Sequence, residues 1–215
     1  VVHEGVLWQW VVLFALGAFH GINPGMGWLF AVALGMQESR RHGVFRALAP
    51  LALGHVLSVG AIVFVAIALD VVVPLRYVEW LAIVVLLGFG IFKLVRSRHP
   101  RWVGMRVGMK DLTLWSFLMA SAHGAGLMVL PVVFSMSHVA HAASEHAGHA
   151  PQMVGPWTAI LATLVHGIGY LVVTALVALL VFEKFGLGML RKTWFNLDLI
   201  WAVALIVTAA AILLI

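Results

Sequence analysis

Six runs of roughly 20 apolar residues, the length at which a helix crosses the hydrocarbon core of a bilayer, leave this chain almost no polar sequence with which to cover a soluble core. They lie near residues 8–36, 50–70, 77–95, 112–135, 154–182 and 194–215. Of the 215 residues, 63% are hydrophobic and 10% charged, and mean hydropathy is +1.08, well outside the mix of a soluble domain. The reading is an all-α integral membrane protein with six transmembrane helices. The opening "VVHEGVLWQW" lacks the basic segment of a signal peptide and reads as the lead into the first span.

Charge is confined to the segments between the runs. All but one of the thirteen Lys and Arg residues, among them Arg40, Arg41, Arg46, Arg96, Arg98, Arg101, Lys184 and Arg191, fall in the first, third and fifth connections, and Arg76 stands alone on the other side. The positive-inside bias therefore places both termini and the fourth connection outside a plasma membrane, the inner membrane in a bacterium. The net charge of +5 is a topology signal of this kind, and no nucleic acid partner is expected. Trp8, Trp10, Trp80, Trp115, Trp157 and Trp194 fall near the ends of runs, where interfacial anchors sit.

The chain has no cysteine, which excludes disulfides and thiolate metal sites. A phosphate-binding loop is also missing, so ATP-driven transport by this chain alone is not expected. Ser121 and His123 lie two residues apart without a carboxylate to orient the imidazole, so a nucleophile and base pair has little support. A transporter fits better than an enzyme.

The two halves share a plan. "FHGINPGMGW" in the first run is matched by "AHGAGLMVLP" in the fourth, and "LGHVLSVGAIVFVAIAL" in the second by "LVHGIGYLVVTALVALL" in the fifth. Since each unit has three spans, the second copy enters from the opposite side. The expected architecture is two inverted three-helix repeats, 1–111 and 112–215, within one membrane domain.

His20, His55, His123 and His166 stand inside spans one, two, four and five. An imidazole in hydrocarbon needs a hydrogen-bond partner or a ligand, because leaving it unsatisfied costs several kcal/mol. An interhelical hydrogen bond explains one such histidine; four at related positions point to an ion, substrate or proton path. Pro24 lacks an amide hydrogen, while Gly21, Gly25 and Gly27 tolerate nonhelical backbone, so helix 1 is expected to break there. Gly124, Gly126 and Pro131 predict a similar break in helix 4. A break frees carbonyls and amides for an ion or polar substrate; the bland alternative is a kink at a close helix contact.

Neutral imidazole suits nickel, cobalt, zinc and copper, and thioethers at Met26 or Met128 favour softer ions such as copper(I). The candidate metal set is His20, Met26, His55, His123, Met128 and His166, with Asn23, Ser58, Ser121 and Tyr170 as neutral substrate-binding groups. Protons compete for the same nitrogens, which offers a coupling ion. Outside, "HVAHAASEHAGH" spaces His138, His141, His146 and His149 as two H-x-x-H pairs around Glu145. On a helical turn each pair shares a face, so the loop is either a weak metal collector at the mouth or an Ala-rich solvated connection.

The six runs, "HGINPGM" in the first, "LGH" in the second and the histidine-rich loop together resemble the nickel and cobalt transporter family of the lysine-exporter superfamily. That resemblance spans the plan of most of the chain and implies divalent cation transport through a first-span H-x4-D-H signature. His20 matches its leading histidine; Gly25 and Met26 replace the Asp and His, and Asn23 stands where an acidic residue is common. "NPG" is similar to the Pro-Gly turn of amino-acid exporters in the same superfamily, which implies an organic substrate instead.

Three readings follow. The first is a secondary transporter exporting or exchanging a transition-metal cation at His20, Asn23, His55, His123 and His166. Another is a membrane redox subunit in which pairs of these histidines ligate haem or copper. A third is a small-solute exporter using Asn23, Ser58, Ser121, Tyr170 and Thr174. The bilayer, a metal cation and protons are the expected partners, and a homo-oligomer or a further subunit is compatible with all three.

Overall fold

A computed structural model describes residues 2–70, 73–95, 108–142, 154–184 and 197–212. It contains helices α1 (Val2–Ile22), α2 (Trp28–Glu38), α3 (Arg41–Asp70), α4 (Leu75–Val95), α5 (Met109–Ala122), α6 (Ala125–Ala142), α7 (Pro156–Lys184) and α8 (Leu197–Ile212). A one-turn 3-10 helix, Pro24–Met26, separates α1 from α2. No strand occurs among the described residues.

The first apolar run is thus α1, the 3-10 turn and α2, and the fourth is α5 with α6. Two helices, Arg41–Leu69 of α3 and Pro156–Lys184 of α7, are each long and apolar enough to cross a membrane. The bent pair α5 and α6 makes a third if it is one span. Local chemistry sets the ends. Asp111 accepts from the Gly108 amide at 2.9 Å to start α5, Pro156 opens α7 where a missing amide costs nothing, and Ser39 in the left-handed region (φ 52) closes α2.

Polar and apolar surfaces are reversed relative to a soluble protein. Phe64, Val84 and Trp157 are 71%, 64% and 79% exposed, whereas His20, His55, His166 and Thr174 are fully buried. A chain in water would not leave such an apolar exterior uncovered; a bilayer covers it without further protein. Trp8, Trp80 and Trp157, three of the proposed interfacial anchors, face outward.

Helix α1 lies along α7, α3 along α5, and α4 against α8, while α3 and α7 meet at the centre. Glycine makes the first two contacts close. A Cβ on Gly17 would fall on the His166 carbonyl, and one on Gly54 would fall on the Thr113 carbonyl, so the backbones touch. The first of these, with Gly167, whose Cβ would stand 2.5 Å from a Val56 methyl, brings the polar side chains of α1, α3 and α7 to one place.

Candidate functional site

The first break is a self-contained turn. Asn23 is extended (φ −68, ψ 122), and its Oδ1 accepts from the Gly25 amide at 2.8 Å, capping the 3-10 turn that Pro24 begins. Gly27, with φ 123, then turns the chain into α2. The expectation of carbonyls freed for an ion meets a correction here. The Ile22 carbonyl accepts from the Trp28 indole at 2.9 Å, and the Met26 carbonyl accepts from the Tyr170 hydroxyl at 2.7 Å. The chain's own donors occupy both, because a carbonyl left bare at this depth would cost as much as a lost hydrogen bond.

The second break is shorter. α5 ends at Ala122, Gly124 takes φ 69, and α6 leaves at 60° to α5. Gly126 and Pro131 were expected to share in this break and do not: α6 runs through both. The left-handed Gly124 has already ended one helix, so Pro131 falls within the first two turns of the next, where its missing amide removes a single bond. Gly126 serves packing, since a Cβ there would come within 2.6 Å of the Ile62 Cβ.

Both break histidines are held alike. His20 Nδ1 donates to the Leu16 carbonyl at 2.7 Å, and His123 Nδ1 donates to the Met119 carbonyl at 2.8 Å, each four residues back. A carbonyl only accepts, so the proton lies on Nδ1 and the lone pair on Nε2 in both rings. Each ring also lies at the C-terminal end of a half-helix, where the backbone dipole favours a cation.

The rings of His20, His55 and His166 come together. The ring centres of His20, His55 and His166 stand 5.1 Å (His20 to His166), 5.3 Å (His55 to His166) and 5.6 Å (His20 to His55) apart. Tyr170 stacks on His55 at 3.9 Å with planes 9° apart, so one phenol both covers the imidazole and ties α7 to the first break. Neither ring nitrogen of His55 has a hydrogen-bond partner, although the residue is fully buried. Among the described residues, no three His, Asp or Glu side chains present donors able to hold a metal ion together in this conformation.

His123 borders the first break on the side of His20: its Cε1 is 3.9 Å from where a Cβ on Gly25 would stand, and the Met119 methyl is 3.5 Å from the same point. Met26 and Met128 are buried in the apolar core that surrounds Tyr170. Ser58 donates to Ser121 at 2.8 Å while the Ser121 hydroxyl donates to the Phe117 carbonyl, so this pair is a brace between α3 and α5. The buried Nδ2 of Asn23 is without a hydrogen-bond partner, and Thr174 is buried beside the Tyr170 hydroxyl. His138 and His141 fall on the last turns of α6 with side chains outside the described residues, as are Glu145, His146 and His149 altogether.

Two contributions escaped the sequence reading. Ser116 donates to the Leu51 carbonyl at 2.6 Å, and Gln9 donates to Ser135 at 2.6 Å, joining α5 to α3 and α1 to α6. Tyr170 entered as a hydroxyl for substrate, yet its ring is what meets His55; the signal was its spacing of four from His166, which puts both on one face of α7. An apolar groove of about 570 Å3 between α3 and α7, lined by Val56, Phe64, Ile160 and Leu164 among others, is bordered by none of these histidines. No protein-family model, curated protein or solved structure matches the chain, and the reading of its site therefore rests on the geometry of these residues.

Proposed function

We propose that the chain is a secondary transporter of a transition-metal cation, with His20, His55 and His166 as the transport ligands. The observation that carries this reading is the spacing of the three rings. The point equidistant from their centres lies about 3.1 Å from each, which is where a metal bound at about 2.0–2.1 Å from an imidazole nitrogen sits relative to the ring centre. The rings have the spacing of a three-imidazole site without its orientation. Rotation of His55 off the Tyr170 face would turn a nitrogen inward, and such a step between closed and loaded states is what alternating access requires.

Architecture supports the same reading. Exchanging the halves turns the α1 and α7 contact into the α5 and α3 contact, as an inverted repeat demands, and the two Nδ1-to-carbonyl bonds repeat with it. On this basis we read six spans in two repeats, 1–111 and 112–215, with the Lys- and Arg-rich connections inside and both termini and the histidine-rich segment outside. The resemblance to nickel and cobalt transporters agrees in plan, and only His20 carries over from its signature. Haem fits less well: Tyr170 and the three imidazoles pack on one another with ring centres 3.9–5.6 Å apart, leaving no slot for a macrocycle.

Protons and metal share the imidazole lone pair, so exchange for protons is the simplest coupling. The test is flux into liposomes containing the purified chain, with a metal-sensitive dye and a pH-sensitive dye inside. Metal uptake that moves protons the other way and is lost in the His55→Ala variant is the expected result; absence of flux for every first-row ion and copper(I) overturns it.

A further inference from the structure

Resting on the transport reading above, we infer that Ser116 is a positioning residue for His55: by taking the Leu51 carbonyl it denies this ring the backbone anchor that His20 and His123 have, and leaves it the ring that turns.

The anchor is a local bond that the other two rings share. His20 Nδ1 donates to the Leu16 carbonyl and His123 Nδ1 to the Met119 carbonyl, each four residues back in its own helix. The matching acceptor for His55 is the Leu51 carbonyl. A carbonyl oxygen has two lone pairs. Inside α3 one of those on Leu51 meets the His55 amide, as the helix repeat requires, and Ser116 Oγ donates to the other at 2.6 Å. Nothing is left there for Nδ1, and both ring nitrogens of His55 are without a hydrogen bond.

Local sequence prepares this substitution of one donor for another. Gly54, directly before His55, lets α5 approach: a Cβ on it would stand 2.8 Å from the Ser116 Cβ. A larger residue would push the serine off the carbonyl. Ser116 is 1% exposed, shielded from the bulk water that would compete for its proton.

The same serine lies beside the Tyr170 hydroxyl, and the Tyr170 ring is what His55 stacks on, with centres 3.9 Å apart. His55 is therefore held by a stack where His20 and His123 are held by a directed bond. A stacked ring gives up less on turning, because dispersion survives a change of angle and a hydrogen bond weakens steeply with it. His166 has the Leu13 carbonyl of α1 beside it, which leaves His55 as the ring freest to turn.

The position of the imidazole proton reports the anchor directly. A ring that donates from Nδ1 to a carbonyl keeps its proton there, whereas an unbonded neutral imidazole favours the proton on Nε2. Nitrogen NMR of the isotope-labelled full chain in detergent, at mildly alkaline pH and with each histidine assigned through its own backbone, separates the two. The expected result is a proton on Nδ1 in His20 and His123 and on Nε2 in His55. In Ser116→Ala, where the Leu51 carbonyl is open, the His55 proton should move to Nδ1. Ser135→Ala removes a comparable hydroxyl bond between α1 and α6 and should leave His55 as it was. In the liposome assay, flux through Ser116→Ala should fall about tenfold, the rate change for one hydrogen bond that must now break in each cycle.

Three results overturn the inference and leave the transport reading standing: a His55 proton that stays on Nε2 in folded Ser116→Ala, one that moves in Ser135→Ala as well, or unchanged flux in Ser116→Ala. If the unsubstituted chain carries no ion, the transport reading fails and the tautomers alone decide whether Ser116 positions His55. If Ser116→Ala misfolds, the unsubstituted chain decides: a proton on Nε2 of His55 supports the inference and one on Nδ1 overturns it.

Discussion

The two helix breaks solve one problem in different ways. In the first, a 3-10 turn is fastened from its own side chain, from α2 and from α7: Asn23 caps Gly25, Trp28 takes the Ile22 carbonyl, and Tyr170 takes the Met26 carbonyl. In the second, Gly124 turns the chain within two residues, and its backbone bonds, His123 to Met119 and Gly124 to Ser121, are local. The first break is braced by distant groups, and the second is a hinge of small radius. On the transport reading, the braced turn suits a fixed wall of the site and the short one the element that moves.

The largest consequence of that contrast falls on Tyr170. Replacing it by alanine removes a fully buried ring and should cost about 3–5 kcal/mol in denaturant unfolding of the detergent-solubilised protein. Tyr170→Phe keeps the stack on His55 but leaves the Met26 carbonyl bare, for about 1–3 kcal/mol. Equal losses for the two variants would show that the hydroxyl alone matters and that the stack on His55 is incidental.

The glycines sharpen the comparison next. Gly27 combines φ 123 with a Leu51 methyl where its Cβ would be, so Gly27→Ala should cost about 2–3 kcal/mol in the same assay. Gly124 has φ 69, inside the region asparagine also visits, but a Cβ there would stand 2.6 Å from a Leu205 methyl, so Gly124→Asn should cost about 1–2 kcal/mol, less than Gly27→Ala. The stability order would have to invert for the second break to be the more constrained.

Asn23→Ala removes one cap and is expected to cost about 1 kcal/mol, seen as a modest fall in thermal midpoint. Comparable with it is Ser121→Ala, which takes a partner from Ser58 at the α3 and α5 contact and should cost about 0.5–1.5 kcal/mol. A loss for Ser121→Ala well above about 1.5 kcal/mol would show the second break to be braced by a distant helix too.

How much of this was legible follows from the range of each force. Asn23, Pro24 and Gly25 announce their turn because caps and missing amides act over a few residues. Pro131 misled for the same reason: the local signal is real, but its cost depends on where the helix begins, which Gly124 decides seven residues earlier. The histidines could be nominated from burial alone. Which three would meet could not, because that depends on Gly17 letting α1 reach α7 and Gly167 letting α7 reach α3 across more than a hundred residues of chain. Tyr170 illustrates both sides, its face on α7 being set by spacing and its partners by assembly.

The bond from Tyr170 to Met26 spans 144 residues of sequence, and that separation has a consequence for biogenesis. On the six-span reading proposed above, α1 and α3 reach the membrane during synthesis well before α7, so His20 and His55 wait there without the helix that supplies His166 and the phenol. Over that interval their polarity must be met by lipid headgroups, water or the insertion machinery, at several kcal/mol for each group left bare. Insertion of α7 is then the step that closes the pocket, and a chain arrested before residue 156 would expose its histidines to whatever quality control surveys the bilayer.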